Sequence, residues 1–210
     1  MKNILFLSIL LLFACQFESK EKPFDPRAID ASKEIFNWTI KTGEQVGLIK
    51  KSFTEADIIK AYGQENVSRK EIGLGEGETA KATVLFPNTE NELFIIWEIG
   101  KEYQTINEIL IEHPDAPWMT SQGIGIGTTL EKLVETNGKD FQFAGFEWDY
   151  SGYTNDWQDG KISKNLVVFL DPSDPEKVYP DLLGDELFSS SLPKAKDAGL
   201  KVRTMMIRFE

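Results

Sequence analysis

Cysteine and histidine are almost absent from this chain of 210 residues, which holds one of each, Cys15 and His113. A single cysteine excludes an intramolecular disulfide, and a single histidine excludes a zinc site built from several histidines. A Ser-His-Asp triad would depend on His113 alone, which lies in a polar sequence typical of a surface loop, and no nucleophile elbow is present. The sequence therefore predicts no metal and no cofactor, and it favours a non-enzymatic function.

Basic residues are also few, with 23 Lys and Arg against 34 Asp and Glu and a net charge of −11. Binding to nucleic acid depends on clustered Lys and Arg that neutralise phosphates, so we expect no nucleic-acid partner. The same charge would be repelled by anionic lipid headgroups. Any membrane contact should therefore be made by something other than a basic face.

Long hydrophobic sequence is limited to one run of eleven residues, 4–14, which has Lys2 shortly before it and Cys15 directly after it. A membrane-spanning helix needs about 20 apolar residues, so this run is too short to remain as an anchor. A secretory signal typically has a positive charge, then a short apolar run, and then a small residue just before the site of cleavage. We therefore predict a signal peptide at residues 1–14.

Residues 12–15 resemble the lipobox of bacterial lipoproteins, with Leu12 at −3, Ala14 at −1 and then Cys15. The resemblance implies cleavage after Ala14, and a diacylglyceryl thioether and acylated amino group on Cys15 that anchor the protein in the cell envelope. Several acyl chains hold a protein firmly to a membrane, whereas one does so marginally. Gln16 is not the aspartate that retains some lipoproteins in the inner membrane, which favours the outer membrane. The alternative is an ordinary signal that leaves Cys15 as a free thiol.

Beyond the signal, residues 15–30 are polar, contain proline and show no periodicity, which predicts a tether. Residues 31–210 have the length of one domain. Alternating hydrophobicity predicts a strand at 34–40, followed by a turn at 41–44. A helix is predicted over 54–62, and paired strands over 83–86 and 93–99.

A similar order of elements comes next, with residues 123–129 leading into a helix that ends at Asn137, and then strands at 141–150 and 165–170. The tail predicts a loose helix over 181–188 and a last strand over 201–209. An offset of 75 residues aligns Thr54 with Thr129 and Gly63 with Gly138. We therefore predict an α+β fold: an antiparallel sheet built from two degenerate strand-helix-hairpin repeats, about 45–110 and 120–175, with helices packed on one face. The alternative is that two amphipathic helices look alike by chance.

Residues 54–79 and the segments at 115–118, 123–128 and 145–150 resemble a family of uncharacterised bacterial lipoproteins, which implies an envelope location but no mechanism. The signature of Thr, an apolar residue four positions on and a terminal Gly in each helix is similar to the repeats of β-lactamase inhibitory protein-like folds. That resemblance implies a concave sheet that is presented to a partner protein.

Two glycine-rich patterns are candidate ligand sites. The spacing of Gly123, Gly125 and Gly127 is not that of the dinucleotide fingerprint, so it favours a tight lead into the helix. The glycine-rich loop with Glu71, Glu76 and Glu78 could supply calcium ligands, but it lacks the spacing of an EF-hand and favours a plain β-loop.

The densest aromatic segment, residues 141–157, is the predicted binding site, with an envelope protein or a glycan as partner. If 141–150 is a strand, Phe146, Trp148 and Tyr150 share one face, and Tyr153 follows in a polar loop. The alternative is that these rings belong to the core. In the same strand, Glu147 and Asp149 would share a face at the spacing of the two carboxyls of a glycosidase, so a carbohydrate-acting enzyme is the second hypothesis. Inhibition of a periplasmic enzyme is the third. The residues predicted to bind are Trp148, Asp149, Tyr150, Tyr153 and Trp157.

Overall fold

Residues 37–75, 77–154 and 156–209 are described by the computed structural model of the chain. The predictions for the signal peptide, Cys15, the tether, Phe36 and Glu76 lie outside these residues. The described chain has a mixed α+β fold with mostly antiparallel strands and few helices, as predicted. None of its helices has the length and apolar character needed to cross a membrane.

The three helices are α1 (Glu55–Tyr62), α2 (Leu130–Asn137) and α3 (Pro193–Asp197). In α1, the Thr54 hydroxyl accepts a hydrogen bond from the Asp57 amide, and the Asp57 carboxylate accepts one from the Thr54 amide. The α2 helix begins in the same way, with the Thr129 hydroxyl accepting from the Lys132 amide. These side chains satisfy backbone amides that the first turn leaves unpaired. Both helix predictions are confirmed.

Seven antiparallel strands form the main sheet, in the order β10-β11-β13-β7-β6-β5-β4. The predicted pair at 83–86 and 93–99 is confirmed as β5 and β6, and the predicted strands at 165–170 and 201–209 are confirmed as β11 and β13. The last strand, β13, lies between β11 and β7, so it joins the two halves of the sheet. The strands are β4 (Val67–Gly75), β5 (Glu78–Leu85), β6 (Leu93–Trp97), β7 (Ile106–Ile111), β10 (Tyr153–Thr154), β11 (Leu166–Asp171) and β13 (Lys201–Arg208).

The described chain also contains two smaller sheets. The first has the order β3-β2-β1-β8 and contains the predicted hairpin, in which Ile40 pairs with Val46. The second pairs β9 with β12. The strands are β1 (Thr39–Lys41), β2 (Gln45–Val46), β3 (Ile49–Lys50), β8 (Met119–Thr120), β9 (Gln142–Ala144) and β12 (Leu187–Ser189).

The large hydrophobic core lies on one face of the main sheet, which we call the inner face. All three helices contribute to it, with Ile58, Leu133 and Ala195 fully buried. Each such aliphatic side chain of Ile or Leu size stabilises the fold by about 1.5–3 kcal/mol. A smaller cluster on the opposite, outer face consists of strand residues only, with Ala82 and Phe94 among them.

The strand prediction for residues 141–150 is wrong beyond Ala144. Gly145 approaches the backbone of Gly184 so closely that a β-carbon there would lie 2.4 Å from the Gly184 oxygen. The Phe146 amide donates to the Leu182 carbonyl at 2.8 Å, and Glu147 has a φ of 67°. Positive φ is incompatible with an extended strand, so the chain leaves the sheet at Gly145.

The predicted helix over 181–188 is also wrong. Residues 180–182 form one turn of 3-10 helix, Gly184 has a φ of 102°, and β12 then pairs with β9. The helix that the tail does contain is α3, with Pro193 in its first turn, where a missing amide hydrogen has no cost.

Candidate binding surface

Four aromatic side chains form a continuous series at the β10 end of the main sheet, and we call this series the aromatic row. Neighbouring ring centroids are 5.3 Å apart for Trp148 and Tyr150, 6.2 Å for Tyr150 and Tyr153, and 5.4 Å for Tyr153 and Phe169. The ring planes meet at 63°, 71° and 66°. Edge-to-face contacts of this kind place the positive edge of one ring against the negative face of the next. The row is therefore internally stabilised.

The sheet fixes one end of the row. Tyr153 of β10 lies directly opposite Phe169 of β11 in the antiparallel register. Leu166, Val168 and Leu170 of β11 belong to the core on the inner face, so Phe169 is on the outer face by alternation.

The loop at 145–152 fixes the other end of the row. The indole nitrogen of Trp148 donates a hydrogen bond to the Gly145 carbonyl at 2.9 Å. The Ser151 hydroxyl donates to the Trp148 carbonyl at 2.6 Å. The first bond ties the Trp148 side chain, and the second its backbone, to the same short loop that carries Tyr150.

Gly152 joins the loop to β11. Its φ is 70°, and a β-carbon would lie 1.9 Å from the Leu170 oxygen. The Leu170 amide donates to the Gly152 carbonyl at 2.9 Å. Glycine is the residue that allows this close approach, because it has no side chain and adopts positive φ freely.

The row is accessible to solvent. Tyr150 is 44% exposed. Trp148, Tyr153 and Phe169 are half-buried. Rings with a packed side and a free side can offer apolar surface to a partner without a large loss of side-chain entropy, because they are already held in place.

Trp157, which the sequence predicts as a binding residue, does not lie on this surface. It is 3% exposed, its ring packs edge-to-face on Phe141 with centroids 4.9 Å apart, and its indole nitrogen donates to the Leu166 carbonyl at 2.9 Å. The buried Asn137 side chain donates to the Trp157 carbonyl and to the Lys139 carbonyl. Trp157 is therefore a core residue.

The acidic pair predicted on this segment is not assembled as expected. Glu147 and Asp149 are both exposed, and the residues that carry them are not in a strand, so they do not share a strand face. Glu147 lines a cavity that Asp149 does not line. Asp149 lies between Trp148 and Tyr150 in the loop, and it is exposed.

An ion pair that the sequence did not predict lies beside the row. The Arg203 Nε is 3.1 Å from an Asp171 carboxylate oxygen, and the guanidinium lies 5.7 Å from the centroid of Phe169. Burial raises the pKa of Asp171, and the attraction of Arg203 opposes that rise. Side chains alternate along β11, so Phe169 and Asp171 lie together on the outer face. This alternation is the sequence signal that could have placed Asp171 beside the row.

A cavity of about 270 Å³ adjoins the row, and it shares Ser151 and Asp171 with the loop and the ion pair. Its other walls include the acidic residues Glu147 and Asp174 and the apolar residues Val178 and Leu183. Val178 is 66% exposed, although it is a large aliphatic residue. The cavity therefore combines apolar walls with carboxylates.

The remaining patterns take structural positions. Gly123 and Gly127 have φ values of 77° and 80° in turns before α2. The Glu71 carboxylate accepts a hydrogen bond from Thr79, and the His113 Nδ1 accepts one from the Asp115 amide. Among the residues that the structure describes, no three His, Cys, Asp or Glu side chains are grouped as metal ligands.

Comparison of the sequence with protein-family models and with curated proteins, and of the structure with solved structures, gave no match. The resemblances to uncharacterised lipoproteins and to inhibitory-protein folds therefore stay predictions.

Proposed function

We propose that the protein is a lipid-anchored, non-enzymatic module of the cell envelope that binds a protein partner through the aromatic row. The observation that carries the proposal is the row itself. Trp148 is held by the hydrogen bond of its indole nitrogen, and Trp148, Tyr150 and Tyr153 are all held by ring contacts, yet each keeps part of its surface in water. Rigid, half-exposed Trp and Tyr side chains are the residues that most often dominate the affinity of protein interfaces.

A protein partner fits the row better than a glycan does. The rings meet at 63–71°, so the edge of one ring lies against the face of the next and the row does not form a flat platform for a sugar chain. The Arg203–Asp171 ion pair at the end of the row adds a charged rim, as is usual around an apolar interface centre. Inhibition of an envelope enzyme is one form that such binding could take.

The envelope location is supported by the sequence. Residues 4–14 have the features of a secretory signal, and Cys15 stands at the end of a lipobox-like segment. Acylation of Cys15 would hold the acidic domain at a membrane that its charge does not favour. Gln16 supports placement in the outer membrane.

We also propose that the two halves of the fold are diverged repeats. The support is that α1 and α2 are both eight residues long, begin after a capping Thr and end before a Gly with positive φ. The elements after these two helices have diverged in length, because long strands come after α1 whereas β9 and β10 after α2 are short.

Photo-crosslinking in cells tests the binding function. A photoreactive phenylalanine analogue at Tyr150 of the full chain should give one discrete protein adduct after irradiation. The control position is Ile99, which is 84% exposed and lies after β6, outside the row. An adduct at neither position, or the same adducts at both, would contradict the proposal. An adduct that a glycosidase removes would indicate a glycan partner.

A further inference from the structure

We infer that the cavity beside the aromatic row accepts a lysine or arginine side chain of the protein partner. This inference rests on the proposed function and gives the chemistry of one contact within it. The occupant is an organic cation with an apolar stem, and the cavity offers a matching surface to each part.

The cavity has room for one long side chain. Its volume is about 270 Å³. Such a side chain would be delivered by the partner that covers the neighbouring row.

The walls of the cavity suit the stem of such a side chain. Val178 and Leu183 are exposed aliphatic residues, and Phe146 and Tyr179 also line the cavity. Lysine and arginine bury their methylene stems along apolar surface while their charged ends stay near water or carboxylates. Covering Val178 would also remove apolar area from solvent, which is favourable.

The charges of the cavity select a cation. Glu147 and Asp174 line it, and no ion pair in the described part of the chain involves either carboxylate. The third acid, Asp171, is paired with Arg203. The one lining cation is Lys177, whose ammonium lies over the Tyr179 ring at 4.9 Å from its centroid. The Asp174 carboxylate accepts a hydrogen bond from the Glu176 amide at 3.1 Å, but a carboxylate has room for further donors, so both carboxylates can accept from an incoming guanidinium or ammonium.

The cavity and the row are parts of one surface. Ser151 lines the cavity and lies in sequence between Tyr150 and Tyr153 of the row. Asp171 lines it two residues after Phe169, on the same face of β11. A partner that packs on the row can therefore reach the cavity with a neighbouring side chain.

Nuclear magnetic resonance titration of the isotope-labelled full chain tests the cation preference. The probes are N-acetyl-arginine amide and N-acetyl-lysine amide, with N-acetyl-norleucine amide as the uncharged analogue of similar stem. We expect the cationic probes to shift the backbone signals of Glu147, Ser151 and Val178, and to bind at least about threefold more tightly than the norleucine probe. Equal binding of all three probes, or shifts elsewhere only, would overturn the inference.

Substitution of the two carboxylates that form no ion pair in the described part of the chain is the second test. The variant Glu147→Gln with Asp174→Asn should weaken the cationic probes at least about threefold and leave the norleucine probe unchanged. The matched control is Glu44→Gln with Asp115→Asn, two exposed acids of the same types that do not line the cavity. Unchanged affinity in the cavity variant would overturn the inference.

The cation site and the binding function can fail separately. If the Tyr150 crosslink forms and the cavity variant does not reduce it, the cation inference fails and the binding function stands. If the cationic probes bind the cavity but no crosslink forms at Tyr150, the proposed binding of a protein partner is contradicted, and the cavity binds free cations instead. If the cavity variant loses both the binding of the cationic probes and the Tyr150 crosslink, the cation site and the binding function are both supported.

Discussion

Tyr153 lies directly opposite Phe169 in the pairing of β10 with β11, and their ring centroids are 5.4 Å apart. This pair connects an irregular loop to the outer face of the main sheet. Because one end of the aromatic row is fixed by sheet register, the rings in the loop keep a defined position relative to the sheet. The candidate binding surface is thus built on a rigid element.

Replacing the most exposed ring of the row should affect binding more than stability. Tyr150→Ala removes a ring that is 44% exposed, so we expect the free energy of unfolding to change by about 0.5–1 kcal/mol or less. The yield of partner adduct from a photoreactive residue at Asp149 should fall about tenfold or more, as for a dominant interface residue. Urea unfolding and quantified crosslinking measure the two effects. Ile99→Ala is the control, and an unchanged adduct yield for Tyr150→Ala would argue against the row.

Trp157→Ala should affect stability strongly, in contrast to Tyr150→Ala. The substitution leaves a cavity against Phe141 and removes the hydrogen bond to the Leu166 carbonyl, so we expect a loss of about 3–5 kcal/mol in unfolding free energy. Urea unfolding followed by tryptophan fluorescence measures it. A loss below about 1 kcal/mol would mean that this ring is not a core residue.

Gly152→Ala tests the close approach between the loop and β11. Gly152 and Gly123 have similar φ values, 70° and 77°, but only at Gly152 would a β-carbon meet another atom. Both variants should lose about 1–2 kcal/mol from the left-handed conformation. Gly152→Ala should lose clearly more, because the Leu170 oxygen must move. Thermal unfolding measures the loss of stability in the two variants. Equal losses would show that the clash with the Leu170 oxygen does not contribute.

The Glu55–Arg69 contact predicts a pH dependence of stability. Burial raises the pKa of Glu55, but hydrogen bonds from Arg69 and Thr83 outweigh it, so the pKa lies below its ordinary value of 4.5. A carboxylate with a depressed pKa stabilises the fold above that ordinary value, and this stabilisation is lost as the pH falls through the folded pKa. Wild type should therefore lose more stability below pH 4.5 than Glu55→Gln. Urea unfolding at pH 7 and in steps through the acidic range measures the difference, and parallel curves would contradict the assignment.

Lipidation of Cys15 is testable without knowledge of the partner. Cells grown with a clickable fatty acid should label the wild-type chain, and Cys15→Ala should not be labelled, because it lacks the thiol that would form the thioether. In-gel fluorescence after immunoprecipitation measures the label. A second variant, His113→Ala, should label like wild type. Label that survives Cys15→Ala, or is absent from wild type, would contradict the anchor.

Local patterns predicted the parts of the fold that depend on residues close in sequence. The α1 and α2 boundaries follow from hydrogen bonds between Thr54 and Asp57 and between Thr129 and Lys132, which lie three residues apart. Short apolar runs predicted β5, β6 and β11, and alternation of apolar residues predicted β13. These features need no knowledge of the tertiary structure.

Only the tertiary structure decided which aromatic rings are accessible. Trp148, Tyr150, Tyr153 and Trp157 look alike in the sequence, but Trp157 is buried by contacts with Phe141 and Leu166. The strand that would have aligned Trp148 and Tyr150 is broken because Gly145 and Phe146 meet residues 182–184 of the chain. Phe169 and Arg203 join the surface through pairing of distant strands. Such contacts join residues far apart in sequence, so the packing of the whole sheet fixes them and no local periodicity can.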